Sequence, residues 1–456
     1  MGGAARSPLL ALLDAWEQTS ARFDHEKSEI QDGDQPLEKA SATGDPVPWA
    51  EDRKKHPVKF RKTIPPASVP ISSSDLFHGI KAILSGNDAE RVKREIREYF
   101  GVRHIFFLSS GKAALFMILI ALRKLKNRSK VIMPGYTCFS VPSAIRKAGL
   151  EIVLCDVRPD SLDFDHEQLE KLADEETLCI IATHLFGIPS EIGRVREIAR
   201  EKGIFVIEDA AQAFGVPDGR VTGPHGDVAF FSLGRGKNIT CGSGGIIVTD
   251  SEEIAGALLG PYNQLEKESL KKSAKTLLEL FLVDLFMNPY LYWLPDGLPF
   301  LQIGETHFYS NFPVFRMNRA KFGLLHNWRK NLYRLNDLRI KAAEEYKNML
   351  MLDRSAYIYS KVIPYLRFPV YLKNENIKKN ICNNYRYLGV SPMYPEPINK
   401  INEIKDRTIF RSCSNSEKIA KTLITLPTHQ LIDGILREKI CSVIRNGLDI
   451  EFQNQR

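Results

Sequence analysis

Apolar and polar positions alternate along this chain in a pattern that predicts strands and helices by turns. Between His104 and Asp209, short apolar runs are separated by segments with helical periodicity; the runs are HIFFLS, KVIMPG, EIVLCDV, CIIATHLFG and IFVIEDA. They are apolar at nearly every position, which is typical of parallel strands buried on both faces. This order predicts an α/β fold with a mostly parallel central sheet and helices on both faces.

Two further apolar runs break the alternation of strand and helix. Val228 to Leu233 and Gly245 to Thr249 are separated by a glycine-rich loop that is too short for a crossover helix. We therefore expect these two strands to be antiparallel neighbours, which gives the sheet one antiparallel strand.

The C-terminal part shows a different pattern. A leucine-rich amphipathic stripe from about Arg319 to Leu350 predicts one long helix joining two lobes. Beyond it, predicted strands near residues 367–372 and 423–426 and helices near 374–389, 414–422 and 433–445 indicate a smaller α+β domain. The predicted organisation is a large domain at 71–260, an insertion at 261–318, and a linking helix with a small C-terminal domain at 319–456.

Two segments stand apart from this organisation. Residues 1–70 form a polar extension that we expect to be largely disordered, with a short helix at Pro8 to Phe23. The insertion contains an apolar run that is interrupted by Glu279 and Asp284 and stopped by Pro289, so it is too short and too charged to span a bilayer. Two interpretations remain, a helix in a dimer interface, which we favour, and a helix on a membrane surface.

Composition narrows the class of protein. The chain has 456 residues, 43% of them hydrophobic and 26% charged, and a net charge of +8. Lysines and arginines are interspersed with acids, so we expect a solvated surface and no nucleic-acid partner. Seven cysteines without a CxxC spacing favour reduced thiols in a cytoplasmic protein, with neither a disulfide framework nor a metal site. We find no signal-peptide pattern.

Candidate chemistry concentrates between Gly203 and Asp250. Asp209 ends a predicted parallel strand, and Lys237 is the only lysine in the glycine-rich loop before Gly245. This pairing suggests a site in which Lys237 forms a Schiff base and Asp209 faces a pyridinium nitrogen. Simpler interpretations stay open, because Asp209 could cap a following helix and Lys237 could be a solvated or phosphate-binding loop lysine. Asn238 follows Lys237, so the nucleotide-binding pattern GxxxxGK[ST] is absent.

A phosphate site is predicted next to this pairing. Ser110 and Gly111 stand where a strand ends and a helix begins, and free N–H groups at a helix start attract phosphate. An ordinary serine-capped turn is the simpler alternative. Ser232 could add a hydroxyl to the phosphate, while Gln212 could bond a ring oxygen or complete a cap with Asp209.

The order of these motifs resembles a known family. The segments SSGKAAL, VIMPGYTCFS, GLEIVLCDVRPDSLDFD, THLFGIPSEIG, IFVIEDAAQAFG, GDVAFFSLGRGKNITCGSGGIIVTD and ITLPTHQL look like the DegT/DnrJ/StrS family over roughly residues 75–445. Members are pyridoxal-phosphate-dependent sugar aminotransferases of the aspartate aminotransferase fold, fold type I. The resemblance implies pyridoxal 5'-phosphate (PLP) as cofactor and a homodimer.

Several residues acquire roles from this resemblance. Lys237 matches the lysine that forms the Schiff base and shuttles the proton, and Asp209 matches the acid at the pyridine nitrogen. Gln212 matches the glutamine near the phenolic oxygen of the cofactor, and Ser232 matches a phosphate-binding serine. Gly111 and Lys112 align with the family's Gly-Thr pair, so a lysine replaces the threonine hydroxyl.

Two positions depart further from the family pattern. The aromatic residue that stacks on the cofactor normally follows the threonine of the YT motif, where this chain has Cys138, and Phe139 is the substitute that we expect. In the family an asparagine of the neighbouring subunit lies near the phosphate, and Asn311 is the nearest candidate here.

The function implied is transamination, from an amino acid, with glutamate expected, to a keto sugar linked to a nucleotide, for polysaccharide or glycoconjugate biosynthesis. Two alternatives are a noncatalytic scaffold of a membrane-bound polysaccharide assembly and a sugar dehydratase of the same family. Such dehydratases lack the Schiff-base lysine, so the presence of Lys237 favours transamination.

Overall fold

Within the described residues, ten strands form two sheets. The computed structural model describes residues 61–85, 88–215, 225–298, 307–352, 357–360, 362–409 and 412–448. The strands are β1 (His104–Leu108), β2 (Lys130–Pro134), β3 (Glu151–Cys155), β4 (Thr177–Thr183), β5 (Phe205–Asp209), β6 (Val228–Ser232), β7 (Gly245–Thr249), β8 (Arg367–Tyr371), β9 (Thr408–Ile409) and β10 (Leu423–Pro427). The predicted helix at Pro8 to Phe23 lies outside the described residues.

The larger sheet has eight strands in the order β1-β7-β6-β5-β4-β2-β3-β9. Strand β7 is antiparallel to both of its neighbours, β1 and β6, and the remaining pairs are parallel. The prediction of a mostly parallel sheet with one antiparallel strand is confirmed. Because β4, β5 and β6 are adjacent and parallel, the residues that end them meet at one edge of the sheet.

Helices make up much of the rest of the described chain. They are α1 (Ser73–Ser85), α2 (Asp88–Phe100), α3 (Gly111–Leu125), α4 (Ser140–Lys147), α5 (His166–Leu172), α6 (Ile192–Glu201), α7 (Glu252–Gln264), α8 (Leu270–Phe286), α9 (Trp293–Asp296), α10 (Arg319–Leu324), α11 (Trp328–Met349), α12 (Tyr357–Ser360), α13 (Glu375–Tyr385), α14 (Ser414–Thr422) and α15 (Gly434–Ile444).

Alternate residues of the strands face two different helical layers. In β2, Val131 and Met133 join the buried cluster that contains α3 and α4. Ile132, between them, belongs to the cluster on the opposite face with residues of α5 and α6. Since successive strand residues point to opposite faces, both faces of the sheet are covered, as the continuous apolar runs predict.

The C-terminal part forms its own small sheet and also extends the large one. Strands β8 and β10 pair antiparallel, with Arg367 opposite Pro427 and Tyr371 opposite Leu423. The short strand β9 instead pairs parallel with β3 at the edge of the large sheet. No periodicity marks these two residues as a strand, and the sequence did not predict them.

The predicted long helix from Arg319 to Leu350 is wrong in one respect. The structure has two helices, α10 and α11, separated by Leu325, His326 and Asn327. The imidazole of His326 stacks on that of His78, with ring centroids 3.5 Å apart, and its Nδ1 lies 3.1 Å from Asp88 Oδ1. Tertiary contacts at the break therefore compete with the helical pattern.

The predicted insertion contains α8 and α9. Leu277 and Leu280 of α8 are buried against the body of the protein. Within the described part of the chain, no helix combines the length and the apolar character needed to cross a membrane.

Candidate active site

Asp209 lies at the sheet edge where β4, β5 and β6 end. It pairs in register with Thr183 of β4 and Phe230 of β6, and its side chain is buried. Its Oδ1 accepts a hydrogen bond from Ala211 N–H at 3.0 Å. Burial raises the pKa of the Asp209 carboxyl, while the Ala211 N–H and the fields of Lys237 and His184 act in the opposite direction.

The alternative in which Asp209 caps a helix does not hold. The residues after β5, Ala210 to Gly215, form a turn in which Ala213 N–H donates to Ala210 O at 3.1 Å. The buried carboxylate therefore closes a local turn through Ala211 and leaves its second oxygen for another partner.

Lys237 occupies the loop between β6 and β7, close enough to Asp209 for its charge to lower the pKa of that carboxyl. The loop backbone is held from α11, because the buried Arg339 guanidinium donates to the carbonyls of Lys237 at 3.4 Å and of Asn238 at 3.2 Å. Burial lowers the pKa of Arg339 to about 10. Arg235, which stands near Lys237 in sequence, instead donates to Glu279 of α8 at 2.8 Å.

Ser110, Gly111 and Ser232 meet at the start of α3. Ser110 Oγ accepts from Ala113 N–H at 3.1 Å, so this serine is an N-cap. A Cβ on Gly111 would lie 3.0 Å from Ser232 Cβ, and one on Gly245 would lie 2.2 Å from Ser110 O. The absence of side chains at these two glycines lets β6 and β7 approach the amino-terminal N–H groups of α3. The result is a polar cradle suited to an anion.

Gln212 is fixed by two buried partners. Its Oε1 accepts from Phe186 N–H at 3.2 Å, and its Nε2 donates to the Tyr394 hydroxyl at 3.0 Å. The Tyr394 ring stacks on Phe139 and on Phe186, with centroids 6.5 Å apart in each pair. Tyr394 therefore connects Gln212 with Phe139.

Lys112 and Cys138 extend this cluster toward the segment around Asn311. Burial lowers the pKa of Lys112, and the field of Cys138 raises it. The Lys112 ammonium lies 5.0 Å from the Phe312 ring centroid. Burial, and to a smaller extent the Cys138 thiol, raise the pKa of the Tyr394 hydroxyl. Asn311, next to Phe312, is exposed.

Three functional candidates were not predicted from the sequence: His184, Arg339 and Tyr394. His184 Nδ1 accepts from Ser190 N–H at 3.0 Å, so its Nε2 carries the proton and donates to Glu208 at 3.1 Å. For His184, the sequence offered one signal. The motif THLFG begins at the last residue of β4 and places this histidine at the sheet edge where Asp209 lies. Arg339 and Tyr394 reach the site only through tertiary packing.

The fold matches that of solved structures at low sequence identity. DesI, crystallised with its TDP-sugar product, aligns with a TM-score of 0.67 and 19% identity over 87% of this chain and 95% of that protein. The E. coli GDP-4-keto-6-deoxy-D-mannose-3-dehydratase, with bound hydrated PLP, aligns with a TM-score of 0.64 and 20% identity over 86% of this chain and 100% of that protein.

Sequence comparison finds a family match. Residues 77–276 match the model of the DegT/DnrJ/EryC1/StrS aminotransferase family. A GDP-perosamine synthase of Vibrio cholerae is 31% identical over 180 residues, which are 39% of this chain and 49% of that protein. The chain thus spans about half the length of the curated relatives it matches. The resemblance predicted from the motifs is confirmed.

Proposed function

We propose that this protein is a PLP-dependent aminotransferase that moves an amino group from an amino acid to a keto sugar. The observation that supports it most is the proximity of Lys237 to the buried Asp209, beside a polar helix start. The family match of residues 77–276 supports the same reaction class. A structural neighbour with bound PLP and a curated GDP-perosamine synthase add support for cofactor and substrate class.

The side chains present fit PLP in chemical type. The α3 N-terminus with Ser110, Gly111 and Ser232 offers N–H and hydroxyl donors to a phosphate. Asp209 offers a buried carboxylate to a protonated ring nitrogen, which would offset the burial that raises its pKa. Lys237 supplies the amine, and Gln212 would bond the phenolic oxygen once its amide is released from Tyr394.

When bound, PLP supplies an aldehyde for imine formation and a ring that accepts electrons from the reacting carbon. Lys237 Nζ takes a proton from the substrate carbon and returns one during transfer. Asp209 holds a proton on the ring nitrogen. Arg339 holds the backbone of Lys237 and Asn238, which fixes the point from which the Lys237 side chain extends. Phe139 and Tyr394 restrict water beside Gln212.

The finer assignments are part of the same proposal. Glutamate is the amino donor, the keto sugar is nucleotide-linked, and the product enters polysaccharide or glycoconjugate synthesis. The enzyme is a cytoplasmic homodimer in which Asn311 of the partner subunit lies near the phosphate. Residues 71–260 act as the cofactor domain, 261–318 as an insertion, and 319–456 as the linking and small domain.

Lys237→Ala tests the cofactor attachment directly. The purified wild-type protein, incubated with PLP, should acquire the visible absorbance of a lysine-bound cofactor. The variant should lack this band because, among the described residues, Lys237 is the lysine whose charge acts on the buried Asp209 carboxyl. Lys379→Ala, at an exposed lysine of α13, is the matched control and should keep the band.

An unchanged spectrum in Lys237→Ala would refute the assignment. Addition of glutamate distinguishes the scaffold alternative, because an aminotransferase converts the bound cofactor to its amine form and the band disappears. A band that persists with a range of amino acids would indicate PLP binding without transfer.

A further inference from the structure

Helix α1 carries an apolar stripe that faces solvent. Phe77, Ile80 and Leu84 repeat at i, i+3 and i+7, the spacing of one helical face. The opposite side of α1, with Asp75, Gly79 and Ala82, packs into the protein. The side with Asp75, Gly79 and Ala82 therefore packs on the protein, whereas the apolar side with Phe77, Ile80 and Leu84 stays exposed.

Helix α8 has a second stripe with the same spacing. Leu278, Phe281 and Leu285 are exposed, whereas Leu277 and Leu280 are buried. Exposed fractions in the two stripes run from 46% at Leu285 to 83% at Leu84. So many large apolar side chains at solvent-facing helical positions indicate an interaction surface.

The two stripes lie on the same side of the α1–α8 pair. A Cβ on Gly79 would lie 2.7 Å from Leu277 Cδ2, and Thr63 N–H donates to Pro289 O at 2.8 Å, so the two segments run antiparallel. Ile80 follows Gly79 by one position and Leu278 follows Leu277 by one position, so each is rotated by about 100° from the contact between the two helices. Because the helices run antiparallel, these two rotations bring Ile80 and Leu278 to the same side of the pair. We call these six residues the α1–α8 surface.

Basic residues flank the α1–α8 surface at both ends. They are Lys81 of α1, Lys271 and Lys275 of α8, and Arg61 and Lys62 near the end of α8. The ammonium of Lys62 lies 5.6 Å from the ring centroid of the exposed Tyr290. Two acids accompany them: Glu279 pairs with Arg235 at 2.8 Å and with Lys275 at 4.0 Å, and burial raises the pKa of Asp284.

The basic residues at both ends of the α1–α8 surface favour an anionic partner over a second copy of this chain. A second copy placed by a two-fold axis would bring the basic end near Lys271 against the basic end near Lys62, or each end against itself. Both arrangements oppose like charges. An anionic phospholipid surface instead attracts both ends while the apolar stripes and Tyr290 enter the headgroup region.

We propose that the α1–α8 surface docks this protein on an anionic phospholipid membrane, with α1 and α8 lying in the interfacial plane. The described helices do not cross the bilayer, so binding is peripheral. It does not depend on the proposed amino transfer.

Sedimentation of the full chain with vesicles tests the proposal. The wild-type protein should partition onto phosphatidylcholine vesicles that contain phosphatidylserine, and partition should weaken with salt. Phe281→Asp should reduce the partition coefficient by about tenfold or more, since it removes an apolar side chain and adds a negative charge. Ile435→Asp, at an exposed apolar residue of α15, is the matched control and should bind as the wild type does.

Lack of partition by the wild-type chain, or equal loss in both variants, would overturn the proposal. Size-exclusion chromatography tests the alternative in which a second copy of the chain binds the α1–α8 surface. If Phe281→Asp dissociates an oligomer without changing vesicle binding, the surface holds a second copy and the membrane proposal is wrong. Circular dichroism of both variants identifies a loss caused by unfolding, and Lys271→Glu combined with Lys275→Glu then provides the second test.

Discussion

At the scale of single residues, Asp209 is both buried and able to carry a negative charge, and these two properties oppose each other. Its position at the end of a buried strand removes the carboxylate from water, and burial raises its pKa. A free charge there disfavours folding unless a cation compensates for it. Lys237 provides part of this compensation. A positively charged ligand group, as in the proposed cofactor, would supply the remainder.

Asp209→Asn should therefore stabilise the cofactor-free protein at neutral pH. For an acid whose folded pKa is raised, the cost of ionisation is absent below the unfolded pKa and grows as pH rises through the folded value. Asparagine does not ionise, so the gain over the wild type should shrink in mildly acidic solution. Urea denaturation of the wild type and of Asp209→Asn, at neutral pH and in mildly acidic solution, measures the difference in the free energy of unfolding.

The exposed Asp406→Asn is the control and should not show this pH-dependent gain. A loss of stability in Asp209→Asn that is equal at both pH values would contradict the electrostatic explanation and indicate a packing defect.

At the scale of elements, the approach of β7 to the start of α3 shapes the anion cradle. Gly245 begins β7, and its missing side chain makes room for the Ser110 carbonyl. The sequence pattern predicted both elements correctly, because apolar strands end in recognisable glycine and serine turns. Their close contact was not predictable, since it depends on the pairing of β7 with β1.

Gly245→Ala should lower the free energy of unfolding by at least about 2 kcal/mol, because the new Cβ would meet backbone atoms that have little freedom to move. Gly256→Ala is the matched control in α7, where a Cβ would meet nothing within 4 Å. It should raise the free energy by roughly 0.5–1 kcal/mol through helix propensity. Chemical denaturation compares the two, and similar effects would exclude the steric explanation.

Elements held by long-range contacts were the ones that the sequence did not reveal. Strand β9 is two residues long and pairs with β3. The break between α10 and α11 follows from His326 meeting His78 and Asp88. Arg339 and Tyr394 complete the candidate site from the C-terminal part without a motif of their own. Periodicity reports local preference, and these features arise from packing between distant segments.

At the scale of the whole molecule, one buried cluster joins the two predicted domains. It contains Val92 and Phe107 from the first part of the chain and Ile419 and Ile440 from the last. A shared core couples the unfolding of the parts that bury it. The strand β9 adds a backbone connection between the same parts.

We therefore expect the part of the chain that the structure describes to unfold in one cooperative step. Urea titrations followed by far-UV circular dichroism and by tryptophan fluorescence should give coincident midpoints. Two separated transitions would indicate that the C-terminal part folds independently, against the shared core.

The contact between Gln212 and Tyr394 also has a consequence during synthesis on the ribosome. The segment that matches the family, residues 77–276, emerges well before Arg339 and Tyr394 have been translated. The nascent sheet therefore presents Gln212 and the Lys237 loop before their C-terminal partners exist. A chain that terminates before Tyr394 would retain the family motifs and lack the side chains that fix them.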